Sequence, residues 1–195
     1  MARKSKGVVV GQVFIYIIAV IVFALVLIFG YQAITGFLEK GEKVAYLTFK
    51  TDLENAIKNV YSDFGTVAIY SGKNVLAVPV DYEEICFVDL DKPVTINITF
   101  CNENPIICDS WRTAYGSGVT KGTSGWQEGD QNVFLKPIGL SPIKVYKITV
   151  DTDEDGEEEL SDDGYLCLPV IQGKLFMRVE GMGDHTFVSN ASISI

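Results

Sequence analysis

Histidine is almost absent from this chain: His185 is the single example among 195 residues. The sequence also contains no G-x-S-x-G, H-E-x-x-H or glycine-rich phosphate-binding motif. Adjacent carboxylates occur, as at Glu83 and Glu84, but such pairs are common on strand edges and specify no reaction. These absences argue against an enzyme, so no catalytic residue is predicted, and His185 is expected to be a surface or strand residue.

Charge is absent from a long N-terminal stretch, where the run VFIYIIAVIVFALVLIF (residues 13–29) also contains no amide side chain. A bilayer core of about 30 Å requires roughly 20 apolar residues in a helix. A surface helix of a soluble protein would show polar residues at helical spacing, and this run shows none. Residues 8–36 are therefore predicted to form a transmembrane helix.

Acidic residues are also missing before Glu39, whereas Arg3, Lys4 and Lys6 precede the apolar run. Lys and Arg next to a membrane segment remain on the cytoplasmic side. Residues 1–7 are therefore predicted to be a basic cytoplasmic leader of a single-pass membrane protein whose C-terminal domain is extracellular. The apolar run exceeds the usual 7–15 residues of a cleaved secretory signal and lacks a small-x-small cleavage site, so an uncleaved anchor is expected rather than such a signal.

Bases are scarce beyond the apolar run. All 25 acidic residues and all but three of the 16 basic residues follow it. A strongly acidic domain does not suit nucleic acid, whose phosphates require a basic surface. It is equally unsuited to docking on anionic lipid.

Cysteine is limited to Cys86, Cys101, Cys108 and Cys167, all in the exported part. An even number in an oxidising compartment indicates two disulfides, with three pairings open. We favour 101–108, which closes a short polar loop, together with 86–167, which joins two apolar segments. Zinc is the alternative, although the chain has neither a C-x-x-C pair nor a second histidine.

A helical stem is predicted over residues 37–64. The sequence TDLE at residues 51–54 matches a capping box, which predicts a helix start at Thr51. The amphipathic helix is expected to join the transmembrane helix either continuously or through a kink. Leu53, Ile57 and Val60 then recur at helical spacing. This apolar stripe is expected to be buried against the domain that follows.

Residues 65–195 show strand patterns separated by turn residues, which predicts an extracellular β-domain. A hairpin is expected from strands 66–70 and 75–80, a further strand at 94–100, and a two-residue turn at Gln172 and Gly173. Residues 109–132, rich in Gly, Ser and Thr, are expected to form a long loop. The predicted fold class is α+β: a long N-terminal transmembrane helix, an amphipathic helix, and an antiparallel β-sandwich or barrel-like domain.

An acidic turn begins at Asp151, and nine acids occur within residues 151–163. The spacing matches the calcium loop D-x-[DN]-x-[DN]-G, so calcium is the one cofactor suggested. The predicted ligands are Asp151, Asp153, Asp155, Glu157 and Asp162. The alternative is a solvated acidic turn between two strands, since the flanking patterns are β rather than the helix pair of an EF-hand.

Two further features concern the surface. Asn97 and Asn190 begin N-x-[ST] sequons, which predicts glycosylation on an exported domain. Trp111, Tyr115 and Trp126 lie within the expected loop, where exposed aromatic residues would recognise a glycan, a surface or a partner protein. The alternative is that the tryptophans fold back and cover the β-domain.

The N-terminus resembles the class III signal and helix of archaeal type IV pilin-like proteins. The resemblance is carried by the basic RKSK before Gly7 and by the apolar helix that starts after this glycine, with a second candidate junction at Gly11. It implies that a membrane peptidase removes the leader after one of these glycines. It also implies that the freed helices pack as a filament core, and that each helix continues onto its globular domain.

Many pilins have glutamate as the fifth mature residue, and this chain departs from that pattern. Cleavage after Gly7 would put Gln12 there, and cleavage after Gly11 would put Tyr16 there. Two hypotheses follow. Either the chain is a structural subunit that assembles with copies of itself into an extracellular filament, or it is a membrane-anchored module on the cell surface that binds through its aromatic loop.

Overall fold

A computed structural model describes the chain over residues 7–79, 81–94, 98–138, 143–151 and 163–191. The chain divides into two compact units, Met1–Val44 and Ala45–Ile195. Within the described residues the first unit is entirely helical, and the second combines helices with strands.

The elements follow one another along the chain as α1 (Gly7–Tyr61), β1 (Val67–Tyr70), a 3₁₀ turn (Gly72–Asn74), β2 (Leu76–Ala77), β3 (Glu84–Val88), α2 (Ile98–Glu103), α3 (Pro105–Lys121), α4 (Gly125–Glu128), β4 (Val133–Lys136), β5 (Ile148–Val150), β6 (Tyr165–Ile171), β7 (Lys174–Leu175), β8 (Met177–Gly181) and β9 (Thr186–Asn190).

Helix α1 is a single element of 55 residues. No proline occurs in the sequence before Pro79, so no residue of α1 lacks an amide hydrogen. The predicted helix start at Thr51 is wrong, because the Thr51 hydroxyl donates to the carbonyl oxygen of Leu47 at 2.9 Å, inside the helix. Thr51 therefore bonds backwards to the preceding turn instead of capping a new helix.

The predicted apolar stripe of the stem is confirmed. Six buried residues of α1 contribute to the main core: Tyr46, Phe49, Leu53, Ala56, Ile57 and Val60. Their spacing of three or four residues places them on one face of the helix. The same core includes residues from strands of both sheets, so this part of α1 fills the interior of the second unit.

The strands form a four-stranded sheet in the order β1-β8-β9-β5 and a five-stranded sheet in the order β2-β7-β6-β3-β4. All pairings are antiparallel except that of β5 with β9. Only Phe176 separates β7 from β8, so the chain passes there from one sheet directly into the other. The result is a curled, largely antiparallel sheet.

The predicted hairpin between strands 66–70 and 75–80 is wrong. β1 pairs with β8 and β2 pairs with β7, so these two strands lie in different sheets. Tyr70 lies opposite Met177, and Leu76 lies opposite Leu175. Strands β1 and β2 therefore pair with β8 and β7, respectively, and the 3₁₀ turn between β1 and β2 spans the interruption of β7–β8 at Phe176.

The predicted two-residue turn between β6 and β7 is confirmed. Gln172 and Gly173 have φ angles of 53° and 70°, the left-handed values that a type I′ hairpin turn requires. Ile171 and Lys174 are opposite each other on either side of it.

A second core lies on the other face of the five-stranded sheet. Along β3, Ile85 and Phe87 belong to the main core, whereas Cys86 and Val88 belong to this second one. The second core also contains Ile107, Trp111 and other buried residues of α2 and α3. Strand β3 is therefore covered by helices on both faces.

Two predictions fail in this helical layer. The expected strand at 94–100 is wrong from Ile98 onward, where α2 begins, while residues 95–97 lie outside the described part of the chain. The expected loop 109–132 is also wrong, because it contains most of α3 and all of α4. The buried residues of α3 are Ile107, Cys108, Trp111, Ala114 and Gly118, a helical spacing within a stretch of low intrinsic helix propensity.

Both favoured disulfides are confirmed. Cys86 pairs with Cys167 between β3 and β6, and Cys101 pairs with Cys108 between α2 and α3. Cys86 and Cys108 are buried, and their partners pack against the same second core. The α+β class is confirmed as well, but the cores lie between sheet and helices rather than between two sheets alone.

Strand β8 approaches the end of α1 closely at Gly181, so a side chain added there is predicted to destabilise the fold. A Cβ atom there would lie 1.9 Å from the Val60 carbonyl oxygen and 2.4 Å from that of Asp63, both backbone atoms. We expect Gly181→Ala to lower the free energy of unfolding by about 2–4 kcal/mol. Thermal unfolding of the full chain in detergent, followed by circular dichroism, measures this.

The matched control is Gly116→Ala in the exposed part of α3, where a Cβ meets nothing within 4 Å. The free energy of unfolding of this variant should stay unchanged or rise by up to about 1 kcal/mol, because alanine is the better helix former. Equal unfolding temperatures for the two variants would contradict the close packing of β8 on α1.

The two disulfides should contribute unequally to stability. They close segments of 81 and 7 residues. In the chain-entropy model, removing 86–167 by Cys86→Ala with Cys167→Ala should cost about 4.5 kcal/mol, and removing 101–108 in the same way about 2.4 kcal/mol. Denaturant unfolding of both double variants tests the order, and a larger cost for the 101–108 pair would contradict it.

Candidate functional site

The first candidate surface is the apolar segment of α1, residues 13–29. All of its side chains are exposed, with values that include 53% for Val13, 66% for Phe14 and 65% for Phe29. By length and composition the helix is apolar enough to cross a membrane. Because the apolar side chains surround the helix instead of forming one stripe, this segment requires an apolar environment on every side.

The predicted processing positions lie at the start of this helix. Gly7 is the first residue of α1, and Gly11 lies one turn further along. Cleavage at either position remains a prediction.

Of the predicted binding aromatics, Trp111 proves to be a core residue. It is 1% exposed, and its indole Nε1 donates to the carbonyl oxygen of Lys92 at 2.9 Å. Its assignment to a binding surface is therefore wrong, and the alternative, that it covers the sheet, is correct. Tyr115 is half-buried on the same helix.

Trp126 is different, because it is half-buried and lines a cavity. Its backbone amide donates to Asp91 Oδ1 at 3.1 Å, and its indole Nε1 donates to the Val145 carbonyl oxygen at 2.8 Å. Lys144 Nζ lies 4.9 Å from the centre of its ring, within reach of a cation–π interaction. The indole is thus held in place from three directions.

We call this cavity the aromatic groove. It has a volume of about 500 Å³ and is lined by Glu54, Asn55, Lys58, Trp126, Lys144, Val145 and Tyr146. Tyr146 is 36% exposed and packs its ring 5.0 Å from that of Tyr61. Of these lining residues only Trp126 was predicted from the sequence, because the seven come from three distant parts of the chain.

A carboxylate network that contacts the backbone of Trp126 was also not predicted from the sequence. Asp89 is 4% exposed, and its Oδ1 accepts a hydrogen bond from the Asp91 amide at 2.9 Å. Burial raises the pKa of Asp89 to about 6. Partial burial also acts to raise the pKa of Asp91, but hydrogen bonds from Lys147, Ser124 and Trp126 outweigh it and leave that pKa lowered.

The Asp91–Lys147 ion pair, at 2.9 Å, ties the turn after β3 to the residues before β5. Because Asp91 also accepts the Trp126 amide, the network sets the position of α4 and therefore of the indole. The alternation of acids in the sequence VDLDKP was the available signal, but it did not indicate which acid would be buried.

The predicted calcium ligands are described only at Asp151. This residue is 1% exposed, directly follows β5, and donates its amide to the Val188 carbonyl oxygen at 3.0 Å. Asp153, Asp155, Glu157 and Asp162 lie outside the described residues. The flanking strands β5 and β6 are as expected, and calcium binding remains a prediction.

The zinc alternative is wrong for these cysteines. Glu84 lies close to Cys86 and Cys167, but both sulfurs form a disulfide and are not available as thiolates. Glu84 instead forms an ion pair with Lys136 across β3 and β4, at 2.6 Å.

Neither Asn190 nor His185 lines the groove. Asn190 is half-buried at the end of β9, while Asn97 lies outside the described residues. His185 is in the turn between β8 and β9, with its Nδ1 2.6 Å from Asp184 Oδ1. His185 is partly exposed in this turn and does not belong to a strand.

The buried Asp89 carboxyl predicts how the stability of the protein depends on pH. Its pKa is raised in the folded protein, from 3.8 to about 6, so folding favours the neutral form. Its contribution to stability is complete below pH ~4 and is lost as the pH rises through about 6, a difference of about 3 kcal/mol. Asp89→Asn keeps the oxygen that accepts the Asp91 amide but carries no charge.

We therefore expect Asp89→Asn to raise the free energy of unfolding at pH 7 by about 1–3 kcal/mol, and to flatten its decline between pH 4 and 6. Denaturant titrations at several pH values measure both effects. Asp130→Asn, at an exposed carboxyl, is the control and should leave the pH profile unchanged. If Asp89→Asn lowered the free energy of unfolding at pH 7, the prediction that the buried charge of Asp89 destabilises the fold would be wrong.

No protein-family model, no curated protein and no solved structure matches this chain. The candidate surfaces described so far are therefore the apolar segment of α1 and the aromatic groove, both defined by the chain's own residues.

Proposed function

We propose that this chain is a pilin-like structural subunit that assembles through the apolar segment of α1 into an extracellular filament. One observation carries the proposal: a single uninterrupted helix has two parts with different chemistry. Residues 13–29 expose apolar side chains all round, whereas the stripe from Tyr46 to Val60 is buried in the main core.

The exposed part of the helix supports association. Each fully buried Val, Leu, Ile or Phe side chain contributes about 1.5–3 kcal/mol relative to exposure in water. A segment of this length therefore favours lipid before assembly and neighbouring apolar helices after it. The absence of charge and amide side chains over residues 13–29 permits both environments.

The buried part of the helix supports a structural role. Phe49, Leu53 and Ile57 are 0% exposed, and the Ile57 carbonyl oxygen accepts a hydrogen bond from Thr186 at 3.3 Å. Extracting this stripe would expose the main core of the domain, so the C-terminal part of α1 cannot leave the domain without unfolding it.

Two features support an extracellular location of the domain. Disulfides persist in oxidising compartments, and both cysteine pairs are joined. The three bases before the apolar run favour a cytoplasmic N-terminus, which places the other end of the span outside the cell.

The second candidate is a membrane-anchored binding module that does not polymerise. The aromatic groove favours it, because an oriented indole lines a cavity of about 500 Å³. The two functions differ in what happens to the N-terminus and to the apolar segment.

The first test is mass spectrometry of the N-terminus on protein from its native membrane. A pilin-like subunit should begin at Val8 or Gln12, after removal of the basic leader. Gly7→Leu and Gly11→Leu form a matched pair, of which only the variant at the true junction should retain the leader. An intact N-terminus at Met1 or Ala2 would contradict the pilin-like proposal.

The same preparation separates the two functions. Filaments sheared from intact cells should contain the processed chain, while the variant that keeps its leader should remain in the membrane fraction. Processed protein that is found only in the membrane would favour the anchored binding module.

A further inference from the structure

The aromatic groove combines aromatic rings that are held in place with polar side chains that are exposed or partly exposed. Trp126 is held by its backbone amide and its indole nitrogen, and Tyr146 is held against the ring of Tyr61. Their positions are set before any ligand arrives, so little side-chain entropy is lost on binding. Around them lie an exposed amide, Asn55, and a partly exposed carboxylate, Glu54.

The groove also has an unusual charge for this protein. Among the residues that the structure describes, Lys58 and Lys144 line it together with one acid, Glu54. Glu54 also forms an ion pair with Lys50, which lies 3.9 Å away on the same helix. The described lining therefore has one more basic than acidic side chain, in a chain with a net charge of −9.

We propose that the aromatic groove binds an anionic saccharide, a sugar chain that carries carboxylates. Lys58 and Lys144 would contact the carboxylates, since ammonium groups form strong charge-assisted hydrogen bonds with them. Tyr146 and the indole of Trp126 would contact the apolar faces of the sugar rings. Asn55 and Glu54 would exchange hydrogen bonds with the hydroxyl groups.

The lining favours a saccharide over a purely apolar ligand. Of its seven residues only Val145 is aliphatic, and the others each carry a polar atom or an aromatic ring. The cavity volume of about 500 Å³ lies within the range of about 300–1,000 Å³ that is common for small-ligand sites. Aromatic rings bordered by hydrogen-bonding groups suit a ring that is apolar on its faces and polar at its edge.

This site does not depend on filament assembly. All of its lining residues belong to the unit Ala45–Ile195, so a monomer and a filament subunit would both carry it. Loss of binding and loss of assembly are therefore separate results.

The test is a titration of the full chain in detergent micelles with a short oligomer of galacturonic acid. An uncharged galactose oligomer of equal length is the comparison ligand. Isothermal calorimetry gives the Kd, and tryptophan fluorescence reports the location. The chain has two tryptophans, of which Trp111 is buried, so a ligand-dependent change in emission is attributed to Trp126.

We expect the charged oligomer to bind, with Kd rising as salt is added. The double substitution Lys58→Gln with Lys144→Gln should raise the Kd at least about tenfold. Lys73→Gln, at an exposed lysine outside the groove, should leave the Kd unchanged. Circular dichroism of each variant confirms that the fold is retained.

Three results would overturn the proposal. The first is no binding of the charged oligomer up to about 10 mM. The second is equal affinity for the uncharged oligomer, which would remove the role of the lysines. The third is an unchanged Kd in the double lysine variant, which would place the binding elsewhere on the chain.

Discussion

The structure depends on the burial of one helical stripe. Phe49, Leu53 and Ile57 are fully enclosed, and residues from both sheets pack into the same core around them. A curled sheet has an inner face that must be covered, and α1 supplies most of that cover. The apolar segment of the same helix, residues 13–29, is exposed in the single chain, and it is long and apolar enough to cross a membrane.

The opposite face of the sheet is covered by α2, α3 and α4. Cys86 and Val88 point to this side of β3, where Trp111 forms the centre of a second core. The two disulfides belong to this side as well: one joins neighbouring strands and the other joins α2 to α3. Each disulfide therefore reinforces one layer, the sheet or the short helices, while apolar burial in the second core holds the two layers together.

The aromatic groove is a consequence of how this layer is attached. Asp91 accepts the Trp126 amide and forms an ion pair with Lys147, while the neighbouring Asp89 remains buried at the cost of a raised pKa. Through Asp91, the position of the Trp126 indole depends on the turn after β3 and on Lys147.

The sequence by itself determined the features that depend on neighbouring residues: the apolar segment, the stripe of Leu53, Ile57 and Val60, and the turn at Gln172 and Gly173. Only the tertiary structure decided α3, because its Gly, Ser and Thr residues favour a helix weakly and Trp111 needs an apolar sheet face to pack against. The same holds for β1 and β2. Their partners β8 and β7 lie about a hundred residues away in the chain, and these two strands are separated from each other at Phe176. The groove was equally beyond sequence reasoning, since α1, α4 and residues 144–146 meet only when both cores have formed.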